Sequence, residues 1–294
     1  MVANKTVSLI SFWAGLLLIM SPVLGIKWFG PGNMGWREVM YYHGAMISAW
    51  MLIIFACLEI EKIRANKNPD SNAINAQYEI TLPVVKYIDS VCAANYDREI
   101  RDALKKLAAG EKPEINGQII GKGFQNVTVL AIRQELNLMA ADPNNIKPCA
   151  ERIAAYFEGI RPTFIRRDKG FFEGKKTLEA SADAALEQLS KADKTSLLTA
   201  SRELEDVIAR TYALSVLYEM QEIEKSRDSD LKFCDVKRVE AGIFYRIIMP
   251  RIEKRSPKIN QTLLNLINGS YGAIDSKEIE KYLAAGLAIN LRQS

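Results

Sequence analysis

The chain has 294 residues, with 39 Lys and Arg against 35 Asp and Glu, four Cys and a single His. That length buries a sizeable core, and the composition excludes a disordered chain, a collagen-like repeat and a disulfide-dense secreted module. One histidine excludes a multi-histidine metal site built by this chain alone, and the near-balanced charge speaks against a nucleic-acid partner.

The charge is distributed unevenly. Residues 1–59 carry only Lys5, Lys27, Arg37, Glu38 and Glu59, and all four Trp (Trp13, Trp28, Trp36, Trp50) lie in the first 50 residues. Val7 to Ile26 and Val39 to Leu58 are two uncharged runs of 20 residues, the second interrupted only by His43. Each is long enough to cross a hydrocarbon layer of ~30 Å as a helix. We therefore expect a transmembrane helical hairpin over 1–60, with Trp28 and Trp36 in the interfacial turn. A cleaved signal peptide fits less well, because a basic leading region and a small-x-small cleavage site are missing. Lys5, Lys62, Arg64 and Lys67 outnumber Lys27 and Arg37 of the turn. The positive-inside bias then puts a multi-pass protein in the inner (plasma) membrane with its large domain in the cytoplasm. Gly44 with Ser48 and Ala45 with Ala49 give the second span small residues at four-residue spacing, suited to close helix packing on the first span or on a partner subunit.

His43 lies about one turn inside the second span, where a polar side chain is costly. It can hydrogen-bond across helices, ligate haem b, or join Met40 and Met46 at a Cu(I) site. The stretch Tyr42-His43-Gly44-Ala45-Met46 resembles the second helix of haem–copper oxidases and nitric oxide reductases. That resemblance implies His43 as an axial ligand of a low-spin haem. The family's further spans and histidines are missing, so a partner would supply the second ligand.

A polar linker is expected over 61–77, from the composition of Asn66 to Asn75. Beyond it the pattern is helical almost throughout, and the predicted fold class is all-α. Asp97 caps a helix that stops at Gly110. Phe124 to Ala140 has a helical stripe through Val127, Leu130, Ala131 and Leu138. Pro148 opens the next helix, and helices follow over Glu173 to Leu189, Ser196 to Lys225, Leu231 to Ile248 and Ser276 to Arg292.

Blocks recur in order. Val129-Leu130 with Gln134-Glu135-Leu136 returns as Val216-Leu217 with Gln221-Glu222-Ile223. Ile146-Lys147-Pro148-Cys149 matches Leu231-Lys232-Phe233-Cys234, and Arg152-Ile153 matches Arg238-Val239. Tyr156-Phe157, Ile160, Pro162 and Arg166-Arg167 match Phe244-Tyr245, Ile248, Pro250 and Lys254-Arg255. We expect an internal duplication into helical repeats over 78–168 and 169–256, followed by C-terminal helices over 257–294. Each repeated Pro is expected to end or kink its helix, leaving the following cations at a helix C-terminus. Cys149 and Cys234 read as small buried hydrophobes, with a disulfide between them or to Cys92 left open. Glu135 and Glu222 are the repeated carboxylates and could pair across a bundle to hold a metal, or lie on a solvated face. The basic stretch Arg161 to Lys169 could meet anionic lipid or form a mixed-charge face.

Ala154-Ala155-Tyr156-Phe157-Glu158-Gly159-Ile160-x-Pro162 resembles a segment of helical extracytoplasmic domains attached to bacterial iron permeases. That resemblance implies a helical bundle outside the membrane, against the charge count. No Ser-His or Cys-His couple and no phosphate loop is present around Gly121-Lys122-Gly123. The reading is a non-catalytic, membrane-anchored accessory subunit, without a cofactor of its own, that docks on other membrane subunits within the lipid bilayer. The alternative is a haem b subunit ligated through His43.

Overall fold

Helix begins at Asp70, whose carboxylate accepts the backbone N–H groups of Asn72 and Ala73 and so caps the first turn. A computed structural model describes residues 70–293 of the chain. Among these residues there are nine α-helices: α1 Ser71–Cys92, α2 Tyr96–Ala108, α3 Pro113–Ala141, α4 Ile146–Phe171, α5 Thr177–Ser190, α6 Leu197–Ser226, α7 Leu231–Arg255, α8 Pro257–Asn268 and α9 Ser276–Leu287. The all-α class is borne out. The expected hairpin over 1–60, with His43 and the small residues Gly44, Ala45, Ser48 and Ala49, lies outside the described residues.

Four helices form the core. α3 packs on α4, α4 on α6, α6 on α7, and α7 back on α3. The pairs α3–α4 and α6–α7 are joined by four residues each and fold back as antiparallel hairpins. Asn126 Nδ2 donates to Ile243 O at 3.0 Å and Arg133 Nη1 to Ile247 O at 2.9 Å. The contacts advance together along both chains, so α3 and α7 run in the same direction. α1 and α2 cover α3, α5 bridges α4 and α6, and α8 and α9 cover α7.

α3 and α6 are the central helices. Ile120–Val129 and Ile208–Leu217 are each ten consecutive buried residues, so neither helix has a solvated face there. The Thr and Ser hydroxyls in these stretches are satisfied locally. Thr128 Oγ1 donates to Phe124 O, and Ser215 Oγ to Thr211 O, each one turn back.

Several sequence expectations are corrected. The linker expected over 61–77 is helical from Ser71, because Asp70 caps it. α2 starts at Tyr96, and Asp97 is not its cap; Asp89 of α1 accepts the N–H groups of Tyr96 and Asp97 at 2.8 and 2.9 Å. α4 starts at Ile146 rather than Pro148. The expected boundary between residues 168 and 169 falls inside α4. Pro162 and Pro250 do not end their helices; both lie inside α4 and α7, as Pro83 lies inside α1. The carbonyls that these prolines leave free belong to Glu79, Glu158 and Arg246, all exposed residues where water can take the hydrogen bond. In consequence Arg166 and Arg167 stand inside α4 and not at its end.

Candidate functional site

The central helices bring together five ionisable side chains that a sequence reader would assign to the surface. α3 contributes Lys122, α4 Arg167, α6 Glu219, and α7 Lys237 and Glu240. All but Lys237 are buried, and Lys237 is half-buried. The layer forms because α3 and α7 present their N-terminal parts at the end of the bundle where α4 and α6 finish.

Lys237 Nζ is the hub, 2.8 Å from Glu219 Oε2 and 2.8 Å from Glu240 Oε2. Lys122 Nζ stands 3.9 Å from Glu240 and over the ring of Phe244. Arg167 Nη1 stands 3.9 Å from Glu219, with its guanidinium 4.1 Å from the ring centre of Tyr218. Burial, then the neighbouring Glu240, pushes the Glu219 carboxyl up to about 7. Burial acts to raise Glu240 as well, but Lys122 and Lys237 hold it below the usual carboxylate range. Burial also opposes charge on Lys237, but Glu219 and Glu240 outweigh it and lift the ammonium to about 12. Burial makes Arg167 a weaker base than usual, with Glu219 opposing. Two neighbouring carboxyls thus have their proton affinities driven apart, the arrangement that lets one hold a proton while the other stays ionised.

A neutral layer lies next along the bundle. Gln125 Oε1 accepts from Thr163 Oγ1 at 3.1 Å and from the Tyr212 hydroxyl at 3.3 Å, joining α3, α4 and α6.

The sequence-expected carboxylates sit elsewhere. Glu135 is buried on α3, and Arg152 Nη2 donates to it at 2.7 Å and to Cys149 Sγ at 3.0 Å. Burial, then the hydrogen bond to Glu135, pushes the Cys149 thiol up to about 12, so it is no thiolate nucleophile at neutral pH. Glu222 sits near the end of α6, half-buried, with Lys225 at 2.8 Å. Each repeated glutamate is therefore closed on its own cation. Among the described residues no group of three or more His, Cys, Asp or Glu could hold a metal ion. Cys149 and Cys234 are buried free thiols and Cys92 is an exposed one. In the basic stretch, Arg161 pairs with Glu158, Glu179 and Asp183, the mixed-charge alternative.

Sequence reasoning missed Glu219, Lys237 and Glu240, and read Lys122 only as a failed phosphate loop. The available signal was a lone charge inside an apolar helical run: Lys122 within Ile119-Ile120-Gly121-Lys122-Gly123-Phe124, and Glu219 within Val216-Leu217-Tyr218-Glu219-Met220. No protein-family model, no curated protein and no solved structure matches this chain.

Proposed function

We propose that this chain is a membrane-anchored accessory subunit of a larger membrane complex. Residues 1–60 dock as a helical hairpin in the inner (plasma) membrane, and the bundle serves as a binding module on its cytoplasmic side. The observation that carries the reading is the segregation of spanning capacity. Among the described residues no helix is long and apolar enough to cross a membrane, whereas two uncharged runs of 20 residues precede them in tandem. Two helices alone bury little surface, so the hairpin gains by packing its small residues Gly44, Ala45, Ser48 and Ala49 on a partner.

The bundle is read as a tandem duplication in which α2–α3–α4 corresponds to α5–α6–α7. The cyclic packing order α3–α4–α6–α7 maps onto itself under that exchange. The wholly buried stretches of α3 and α6 coincide under it too, as do the caps of α2 and α5. Asp89 of α1 caps α2, and Asp168 of α4 caps α5 through the N–H groups of Leu178 and Glu179. The matched residues of α4 and α7 are 85 apart at the cysteines and 88 apart at the prolines. That drift of three residues is nearly one helical turn, so matched side chains keep roughly the same face.

The test is extraction and co-purification of the tagged full-length chain from its native membranes. The chain is expected to resist alkaline carbonate washing, to lose that resistance when residues 1–60 are deleted, and to leave mild detergent with a stoichiometric integral membrane protein. Recovery as a lone polypeptide would overturn the subunit reading. The second reading, a haem b subunit, rests on His43 in its membrane-depth position. It requires a reduced-minus-oxidised haem b band that vanishes in His43→Ala.

A further inference from the structure

We infer that Arg167 holds a small anion of halide size in the core of the bundle, beside Glu219 and Tyr218. The Arg167 side chain is 7% accessible. Its guanidinium offers five N–H donors, and none makes a hydrogen bond among the described residues; Nε and Nη1 are fully enclosed without a partner. The nearest carboxylate oxygen, on Glu219, is 3.9 Å from Nη1, beyond hydrogen-bond reach. Tyr218 covers one face of the group at 4.1 Å, which favours its charge but leaves its N–H edges unsatisfied. Enclosed donors without partners are rare in folded proteins because the lost hydration is not recovered.

Comparison with other enclosed arginines isolates Arg167. Arg210 has Nη2 unpartnered but donates Nε to Leu291 O, and Arg238 has Nε unpartnered but donates Nη2 to Gly269 O. Both are anchored by a backbone carbonyl, and Arg167 is not. The charge balance agrees. Glu219 is the carboxylate nearest Arg167, and it already pairs at 2.8 Å with Lys237, which takes Glu240 at 2.8 Å as well. Among the described residues Arg167 is therefore left without a close counter-ion, in surroundings where an unpaired charge is costly. A water molecule would meet the hydrogen-bond deficit and leave the charge, while an anion meets both. Tyr218 against one face and Glu219 at 3.9 Å crowd the group, which favours a monatomic ion over a bulky oxyanion. The inference stands on the described bundle and is independent of the membrane reading.

The experiment uses the full-length chain in detergent. Sodium chloride is titrated against sodium gluconate at constant ionic strength, with hydrogen exchange of α4 and α6 followed by mass spectrometry. Chloride is expected to slow exchange saturably in both helices, and Arg167→Gln to abolish the response. Glu219→Gln removes the carboxylate that repels the anion and is expected to shift saturation to several-fold lower chloride. Exchange that follows ionic strength whatever the anion, or an unchanged response in Arg167→Gln, overturns the inference. Should Arg167→Gln fail to fold, Glu219→Gln decides alone: saturation at the same or higher chloride overturns it.

Discussion

Lys237 Nζ lies 2.8 Å from Glu219 Oε2, an ion pair between α7 and α6 inside the bundle. The Glu219 carboxyl is nevertheless raised to about 7, because burial and Glu240 outweigh Lys237 and Arg167. A group whose folded-state affinity for protons is raised stabilises the fold fully below its unfolded range and loses that contribution as pH rises through the folded value. Glu240 is shifted the other way, so its contribution is lost as pH falls below the carboxylate range. Urea unfolding of the full-length protein should therefore show a stability maximum near the lower end of the Glu219 window. Between about pH 5 and 7.5 stability should fall by up to about 3 kcal/mol. Glu219→Gln should flatten that decline. A wild-type slope that persists unchanged in the variant would assign the titration to another group.

Gln125 makes the adjacent layer depend on one oxygen. Its Oε1 is the acceptor for both Thr163 and Tyr212. Gln125→Leu keeps the volume and removes the acceptor, leaving the Tyr212 hydroxyl unpaired at a cost of about 1–3 kcal/mol, while Thr163 Oγ1 loses its acceptor but still accepts from Arg166 Nη2. Tyr212→Phe in the Gln125→Leu background should recover part of the loss, because it removes one orphaned group. The double-mutant cycle, measured by thermal unfolding, checks the sign of that coupling.

The helical architecture was legible because most helices expose one face. The expected Ser196 to Lys225 matches α6 at Leu197–Ser226 within one residue. The start of α5 was misjudged because Gly174, at φ 79°, turns the chain before Thr177. The buried charge layer was not legible, because Lys and Glu are surface residues in most helices and only tertiary packing places Lys122 and Glu219 inside. The caps of α2 and α5 were hidden for a related reason: their carboxylates come from the preceding helix, so a local Asp or Ser signal was absent or misleading. Tyr96 and Thr177 open helices whose caps lie 7 or more residues upstream in Asp89 and Asp168.

α9 closes on the bundle through a glycine. A Cβ built on Gly286 would lie 2.9 Å from Ile252 Cγ2 and 3.1 Å from Ile259 Cγ2, contacts that force α9 away from α7 and α8. Gly286→Ala gains helix propensity of about 1 kcal/mol, but overpacking costs about 1–3 kcal/mol, and branched Ile252 is fully buried and cannot swing aside. The net effect should be destabilising and local. Hydrogen exchange should accelerate in α9 and leave α3 and α4 unchanged.

The two remote caps offer a test of the duplication that does not rely on sequence matching. Asp89 accepts two N–H groups at the start of α2, and Asp168 accepts two at the start of α5. Each carboxylate also meets the positive end of the helix that it caps. Asp89→Ala and Asp168→Ala should each cost about 0.5–2 kcal/mol. Exchange should quicken in the first turn of the capped helix rather than in the helix that carries the aspartate. If α2 and α5 are equivalent elements, the two variants should lose similar amounts and fray the same number of turns. A large loss in one with a silent response in the other would mean that the caps arose separately, and would remove the capping pattern as support for duplication while leaving the packing order to be explained by itself.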